Sequence, residues 1–164
     1  MNDPYRVTVV CTGNICRSPM GERVLEDALS QAGLDSQVIV DSAGTRGWHE
    51  GERAHVNTMA LLERVGLRTS HHAARELTRE RYDDADLILL MDRGHRSDLE
   101  LVGFTDGAPA LMWRSFDPSS AARGELDVPD PWGHPMSAYD EVFEQLQAGV
   151  PAILDYIRTA LEAR

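Results

Sequence analysis

The stretch Val7-Thr8-Val9-Val10-Cys11-Thr12-Gly13-Asn14-Ile15-Cys16-Arg17-Ser18-Pro19-Met20-Gly21-Glu22-Arg23 decides the architecture. An apolar, β-branched run at Val7, Val9 and Val10 reads as a buried parallel strand, and the cluster Cys11 to Ser18 separates it from a helical pattern. Ser18 suits an N-cap and Pro19 a first helical position, so the helix is expected to begin there with its unpaired amides turned back into the loop. Gly13 permits close backbone approach and Asn14 tolerates a left-handed conformation, which lets successive N–H groups converge on one tetrahedral oxyanion. The expected phosphate cradle is therefore Thr12, Gly13, Asn14, Ile15, Cys16, Arg17 and Ser18.

Cys11 opens this loop and Arg17 closes it. A thiol placed where amide dipoles, a helix N-terminus and a guanidinium meet is favoured as a thiolate nucleophile. The planar fork of Arg17 fits two phosphate oxygens better than an ammonium does. A lone cysteine after a buried strand is more often a small core residue, and Cys-x5-Arg arises by chance; the Gly-Asn loop and the Ser-Pro helix start raise the reading above that background. The loop is neither of two other phosphate-binding types, since it has no Gly-Lys-Ser/Thr ending and no G-x-G-x-x-G. Cys11 and Cys16 are the only cysteines, so a zinc site would need scattered histidines, and no metal is expected.

A length of 164 residues suits one domain, residues 1–164, with a sizeable core. The formal net charge of -11 argues against nucleic acid or an anionic membrane as partner. It also means that an anionic substrate has to be held by local positive potential. Two cysteines make no disulfide framework, and neither a signal peptide nor a long apolar run is evident, so a cytoplasmic location is expected.

Working outward, Met20, Val24, Leu25, Ala28 and Leu29 share one face of the first helix, which should end at Gly33 with Leu34 as a C-terminal contact. Val38 to Val40 reads as a second strand joined by a right-handed parallel crossover. The turn residues Asp41 to Thr45 and the loop carrying Trp48 then lie on the same sheet edge as Cys11, where open α/β sheets bind ligands. There Ser42 can bond the phosphate loop. Trp48 has two readings, a pocket wall or a buried anchor.

A helix is expected over Ala54 to Val65, a third strand over Asp86 to Asp92, a helix from Arg93 to Val102 and a fourth strand over Ala108 to Trp113. Asp92 falls on the functional edge, or serves as a helix N-cap. Arg114 to Gly133 has little periodicity and reads as a long functional loop. Within it Asp130 is fixed between Pro129 and Pro131, although composition alone favours a surface turn. A last helix should open with Ser137 as N-cap and kink or break at Gly149 and Pro151. The fold class expected is three-layer α/β, with a four-stranded parallel sheet and helices on both faces.

Val10 to Met20 resembles the signature of the low-molecular-weight protein tyrosine phosphatases, and further similarities run along nearly the whole chain. The resemblance implies strand order 2-1-3-4 and metal-independent, cofactor-free hydrolysis of phosphotyrosine monoesters on a protein or peptide through a cysteinyl-phosphate. It implies Cys11 as nucleophile, Arg17 as oxyanion clamp and Asp130, in Asp130-Pro-Trp-Gly133, as general acid. Trp48 and Trp132 are implied to flank the substrate ring, with inorganic phosphate as product and competitive ligand. Ser42, His72 and Asp92 are implied supports of the loop, and Cys16 a redox partner of Cys11. Two relatives on the same scaffold are alternatives. An arsenate reductase needs a resolving cysteine well outside the loop; a phosphoarginine phosphatase often carries Thr where this chain has Ile15.

Overall fold

The computed structural model describes residues 2–67, 69 and 71–164. Its elements are β1 (Tyr5–Cys11), α1 (Arg17–Gln31), β2 (Val38–Gly44), α2 (Val56–Arg64), α3 (Arg79–Asp84), β3 (Leu87–Leu90), α4 (Arg93–Leu101), β4 (Ala110–Met112), a 3-10 turn (Trp113–Phe116), α5 (Pro118–Arg123) and α6 (Met136–Glu162). The four strands form one parallel sheet in the order β2-β1-β3-β4. Alternation along β1 divides the core in two. Val7, Val9 and Cys11 join Leu87 and Leu89 against α1, α2 and α6, while Val10, Ile88, Leu90 and Met112 pack on Tyr82 of α3 and Leu99 of α4. Helices therefore cover both faces, and all four strands deliver their carboxyl ends to one edge. None of the described helices is long and apolar enough to cross a membrane.

Several boundaries differ from the sequence reading for local reasons. α1 starts at Arg17 with Cys16 in the cap position and no side-chain cap. Ser18 is not the N-cap, because its hydroxyl is buried and bonded to Cys11 and Asn14 instead. The other end of α1 agrees with expectation: Gly33 has φ 71°, and the amides of Gly33 and Leu34 return to the carbonyls of Ser30 and Leu29. β2 runs four residues beyond Val40 to Gly44, since each residue from Val38 to Gly44 pairs with β1. Polar residues at the sheet's functional end had masked this.

α2 is shorter than expected, and the short α3 had no clear periodic signal. β4 is confined to Ala110–Met112, although Pro109, which has no N–H, still accepts from Ile88 N at 2.9 Å. The segment expected as one long loop contains the 3-10 turn and α5, the latter capped by Asp117 and ended by Gly124 at φ 69°. Arg114 ties it down by donating to Asp127 O at 2.6 Å and Ser120 Oγ at 3.0 Å.

α6 neither breaks at Gly149 and Pro151 nor is capped by Ser137; it is continuous over 27 residues with Pro135 in the cap position. Pro151 is exposed, and so is Gln147, whose carbonyl loses its helical partner, so water can replace the missing N–H. Gly149 makes room for the Trp113 indole, which would stand 2.8 Å from an added Cβ and which donates to Leu146 O at 2.9 Å.

Candidate active site

The loop between β1 and α1 is held by Asn14, which is fully buried at φ 60°, the one positive-φ residue other than glycine among the described residues. Its Nδ2 donates to Ser18 Oγ at 2.8 Å and Ser42 Oγ at 2.9 Å, and its Oδ1 accepts from Arg75 N at 3.0 Å. The Asn14 carbonyl accepts from His72 Nε2 at 2.7 Å, which assigns the proton to Nε2. Ser42 donates onward to Glu22 Oε2 at 2.8 Å. Every polar group of Asn14 except its own N–H is thereby engaged, and the left-handed backbone is stabilised from all sides.

The end of β2 presses on the same loop. Thr45 N donates to Cys11 O at 2.9 Å and Arg46 N to Thr12 O at 3.0 Å. At Gly44 an added Cβ would stand 2.5 Å from Thr12 O, so only glycine admits this approach.

Cys11 is 3% exposed, with its Sγ 2.9 Å from Ser18 Oγ. Because Ser18 already accepts from Asn14, its own proton is free to be directed at the sulfur. Arg17 is buried. It donates through Nη1 to Asp92 Oδ2 at 2.7 Å and Val128 O at 2.8 Å, and through Nη2 to Thr12 Oγ1 at 3.4 Å. Burial opposes its charge, yet Cys11, the Asp92 bond and Asp130 outweigh that and raise its pKa. Asp130 Oδ2 lies 4.0 Å from Nη2, and its Oδ1 accepts from Trp132 N at 3.1 Å.

Asp92 holds both positions considered for it, as partner of Arg17 and as N-cap of α4 in a reciprocal capping box with His95. His95 Nδ1 accepts from Asp92 N at 3.1 Å, so Nε2 carries the proton to Thr12 Oγ1 at 2.9 Å. Burial, opposed by Asp92 and assisted by Arg17, lowers the His95 pKa to about 4, so the ring is neutral at pH 7.

Cys16 is buried against Tyr139, with Sγ 3.5 Å from the phenol oxygen, which is itself 3.2 Å from His55 Nδ1. Burial pushes the Cys16 thiol up to about 12, even though the Tyr139 bond works the other way. Both cysteines are free thiols.

One cavity of about 300 Å³ gathers Cys11, Thr12, Gly13, Ile15, Cys16, Arg17, Trp48, His49, Asp130 and Trp132. Trp48 and Trp132 are 72% and 59% exposed, positions at the mouth and not those of buried anchors. Ser42, His72 and Asp92 lie behind the lining. A cavity of about 440 Å³ on the far side of the loop touches Ser42 and His72 but neither Cys11 nor Arg17, so the reactive groups converge on the smaller one. Thiol, guanidinium and carboxylate around one cavity can bind a tetrahedral oxyanion, attack its centre and move a proton at its rim.

Sequence reasoning passed over His95, Glu22, His49 and Tyr139. His95 had a signal in the Asp92-x-x-His95 capping spacing. The other three are brought in by packing alone.

The family model described as low molecular weight phosphotyrosine protein phosphatase matches residues 6–163. A low molecular weight protein-tyrosine-phosphatase of Streptomyces coelicolor is 42% identical over 162 residues, 98% of each chain. Low molecular weight protein-tyrosine phosphatase A of Mycobacterium tuberculosis is 41% identical over 157 residues, 96% of this chain and 94% of that one. Among solved structures, YfkJ from Bacillus subtilis superposes with TM-score 0.88 at 31% identity, covering 97% of this chain and 98% of its own. A drosophila arginine phosphatase does so with TM-score 0.83 at 26% identity, covering 92% and 96%. A family model that matches residues 6–163, relatives matched over nearly their whole lengths and a 2-1-3-4 sheet with the Cys11-to-Arg17 loop at its edge lead to one conclusion: the chain belongs to the low molecular weight phosphotyrosine protein phosphatase family.

Proposed function

We propose that this protein hydrolyses phosphotyrosine on protein or peptide substrates by two-step nucleophilic catalysis. The observation that carries the reading is the convergence of Cys11, Arg17 and Asp130 on one cavity whose mouth is walled by two exposed tryptophans. Cys11 Sγ attacks phosphorus in line, so that a P–S bond forms as the P–O bond to the phenol breaks. The Ser18 hydroxyl, 2.9 Å from the sulfur, can donate to it as it attacks and as it leaves again in the second step. Arg17, fixed by Asp92 and Val128 O, and the amides of Thr12 to Arg17 hold the equatorial oxygens. Asp130 gives its proton to the departing phenolate, then takes one from the water that cleaves the cysteinyl-phosphate. Inorganic phosphate leaves as product and competes for the same loop.

In this reading Ser42 and His72 keep Asn14 in its left-handed conformation, Asp92 orients Arg17, and Trp48 and Trp132 flank the ring. The loop amides and Arg17 supply the positive field, so the chemistry enlists no metal or cofactor. Cys16 serves as redox partner of Cys11. A cytoplasmic setting suits two free thiols, and the charge of -11 disfavours nucleic acid and anionic membrane as partners.

A phosphoarginine substrate is the second reading, favoured by the likeness to the drosophila arginine phosphatase. Ile15, which lines the cavity, is bulkier than the Thr often found in such enzymes and suits a flat aromatic ring. Arsenate reduction is disfavoured because Cys11 and Cys16 are the only cysteines. Turnover of phosphotyrosine, phosphoarginine and phosphoserine peptides, measured side by side in a chelator, decides the matter. The phosphotyrosine peptide should lead by at least tenfold; a lead for phosphoarginine overturns the first reading.

A further inference from the structure

Asp130 has 56% of its side chain exposed, so packing does not hold its carboxyl in place. Local restraints fix the shape of its segment: prolines flank it, and its Oδ1 accepts from Trp132 N at 3.1 Å. They leave open where the segment stands relative to Arg17. On one side Pro131 is buried, an apolar and non-directional anchor. Direction comes from the other side, at the wholly buried Val128. Val128 N donates to Met91 O at 2.7 Å, and Asp127 O in the same peptide plane accepts from Arg114 Nη1 at 2.6 Å. The next plane is met by Arg17, which donates through Nη1 to Val128 O at 2.8 Å. Pro129 fixes the following φ, so a single rotation, ψ of Pro129, separates that plane from the Asp130 α-carbon. One bond to Val128 O would let its plane rock; the preceding plane, held at both edges, removes that freedom.

Arg114 lies in the 3-10 turn after β4 and is 9% exposed. Its Nη2 donates to Ser120 Oγ at 3.0 Å, whose hydroxyl donates to Asp117 Oδ2 at 2.7 Å. Glu125 approaches Nη2 only to 3.7 Å, and Arg114 Nε has no partner among the described residues. A buried guanidinium with an unmet donor is unfavourable as packing alone. What its planar fork does, and an apolar side chain cannot, is grip Asp127 O and Ser120 Oγ at once. Outside, the Asp127 carboxylate accepts from Arg93 N and Arg93 Nη2, each at 2.9 Å, which ties the same residue to the start of α4.

We infer that Arg114 is a positioning residue for the general acid: by fixing the Asp127–Val128 peptide it sets where Asp130 stands relative to Arg17 and the leaving oxygen. The inference rests on the reading of Asp130 as the acid and extends it to a residue that lines no part of the cavity. Arg17 keeps its bond to Asp92 whatever becomes of Arg114, so the oxyanion clamp should survive and the harm should fall on proton transfer. A purely structural role harms every substrate alike.

The test compares kcat/KM, which includes the step that breaks the P–O bond, for phenyl phosphate and for p-nitrophenyl phosphate, whose more acidic phenol needs less help from an acid. Arg114→Met keeps an apolar stem and removes both donors. There the phenyl-to-nitrophenyl ratio should fall about tenfold, with Ki for inorganic phosphate within about twofold of wild type. Arg114→Lys keeps the charge but cannot reach both acceptors, and should lower the ratio about threefold. If Arg114→Met does not fold, Arg114→Lys decides on the same readouts. In the Asp130→Asn background neither substitution should alter the ratio further, because residues acting through one proton transfer are not additive. An unchanged ratio, equal losses on both substrates, a phosphate Ki that rises with the loss, or an undiminished effect beside Asp130→Asn overturns the inference and leaves the phosphatase reading intact. If Asp130→Asn alone leaves the ratio unchanged, the acid reading itself falls and the inference with it.

Discussion

Asp130 differs from the other carboxylate near Arg17 in one respect that matters for acid catalysis. Asp92 is tied at 2.7 Å and capped onto α4, whereas Asp130 stands 4.0 Å from the guanidinium with its side chain 56% exposed at the cavity rim. The Asp92 carboxylate is occupied by Arg17 and the α4 cap, whereas a rim carboxylate can reach a leaving oxygen. Asp130→Asn should lower kcat for phenyl phosphate by roughly two to four orders of magnitude, with the loss shrinking as the phenol becomes more acidic. A loss independent of leaving-group pKa removes Asp130 as the acid.

Cys16 carries the second residue-scale expectation. Peroxide oxidises a Cys11 thiolate to the sulfenic acid with release of water; Cys16 then displaces a second water to form the disulfide, and dithiothreitol reverses it. Burial holds Cys16 as a thiol, so capture is slower than by an exposed thiolate, and the recoverable fraction should fall as peroxide rises. Cys16→Ser should keep most of its turnover but be irrecoverable after an exposure from which wild type recovers. Full recovery of that variant refutes the role.

Elements carry the site because their ends are pinned to it. α4 is joined to the phosphate loop through His95, whose ring must stay neutral to accept from Asp92 N and donate to Thr12. The unfolded ring titrates near 6.5 and the folded one near 4, so between these values the unfolded chain binds the extra proton and stability falls as pH falls. The loss should begin below about pH 6.5, be complete near pH 4 and amount to roughly 3 kcal/mol. Melting temperature against pH should show this slope in wild type, and His95→Gln should flatten it.

Within α6, Gly149 sets a contest between two effects. Glycine to alanine inside a helix gains about 1 kcal/mol in propensity, but the new Cβ would meet Trp113 Nε1 at 2.8 Å and displace its bond to Leu146 O. Overpacking of this kind costs about 1–3 kcal/mol, with a broken buried hydrogen bond in addition. Gly149→Ala should therefore lower the melting temperature, and a rise shows that the indole yields without cost.

Over the whole molecule, a net charge of -11 surrounds a cavity whose floor holds the buried Arg17 guanidinium. Long-range repulsion should slow the approach of acidic phosphopeptides, while contacts inside the cavity are little screened. Raising sodium chloride from about 10 to 150 mM shortens the Debye length from roughly 30 to 8 Å. It should raise kcat/KM for an acidic phosphopeptide and change it little for a neutral one. An equal response of both peptides places the charge effect elsewhere.

Much of this was legible along the chain, because the information was local. Alternating β-branched residues before a Gly-Asn loop mark the strand and cradle, and the apolar run from Leu87 to Leu90 marks its neighbour. Motif resemblance carried the strand order and the choice of Asp130, which composition alone had assigned to a surface turn. What only the tertiary structure decided depends on groups distant in sequence meeting at one place. Asn14 captures the Ser18 hydroxyl that local rules assigned to a helix cap, β2 continues through polar residues because β1 is there to pair with it, and α6 runs through Pro151 because that residue faces water. His95, Tyr139 and His49 join the site for the same reason: a side chain's hydrogen-bond partners are set by the packing of whole elements, and no short-range pattern encodes them.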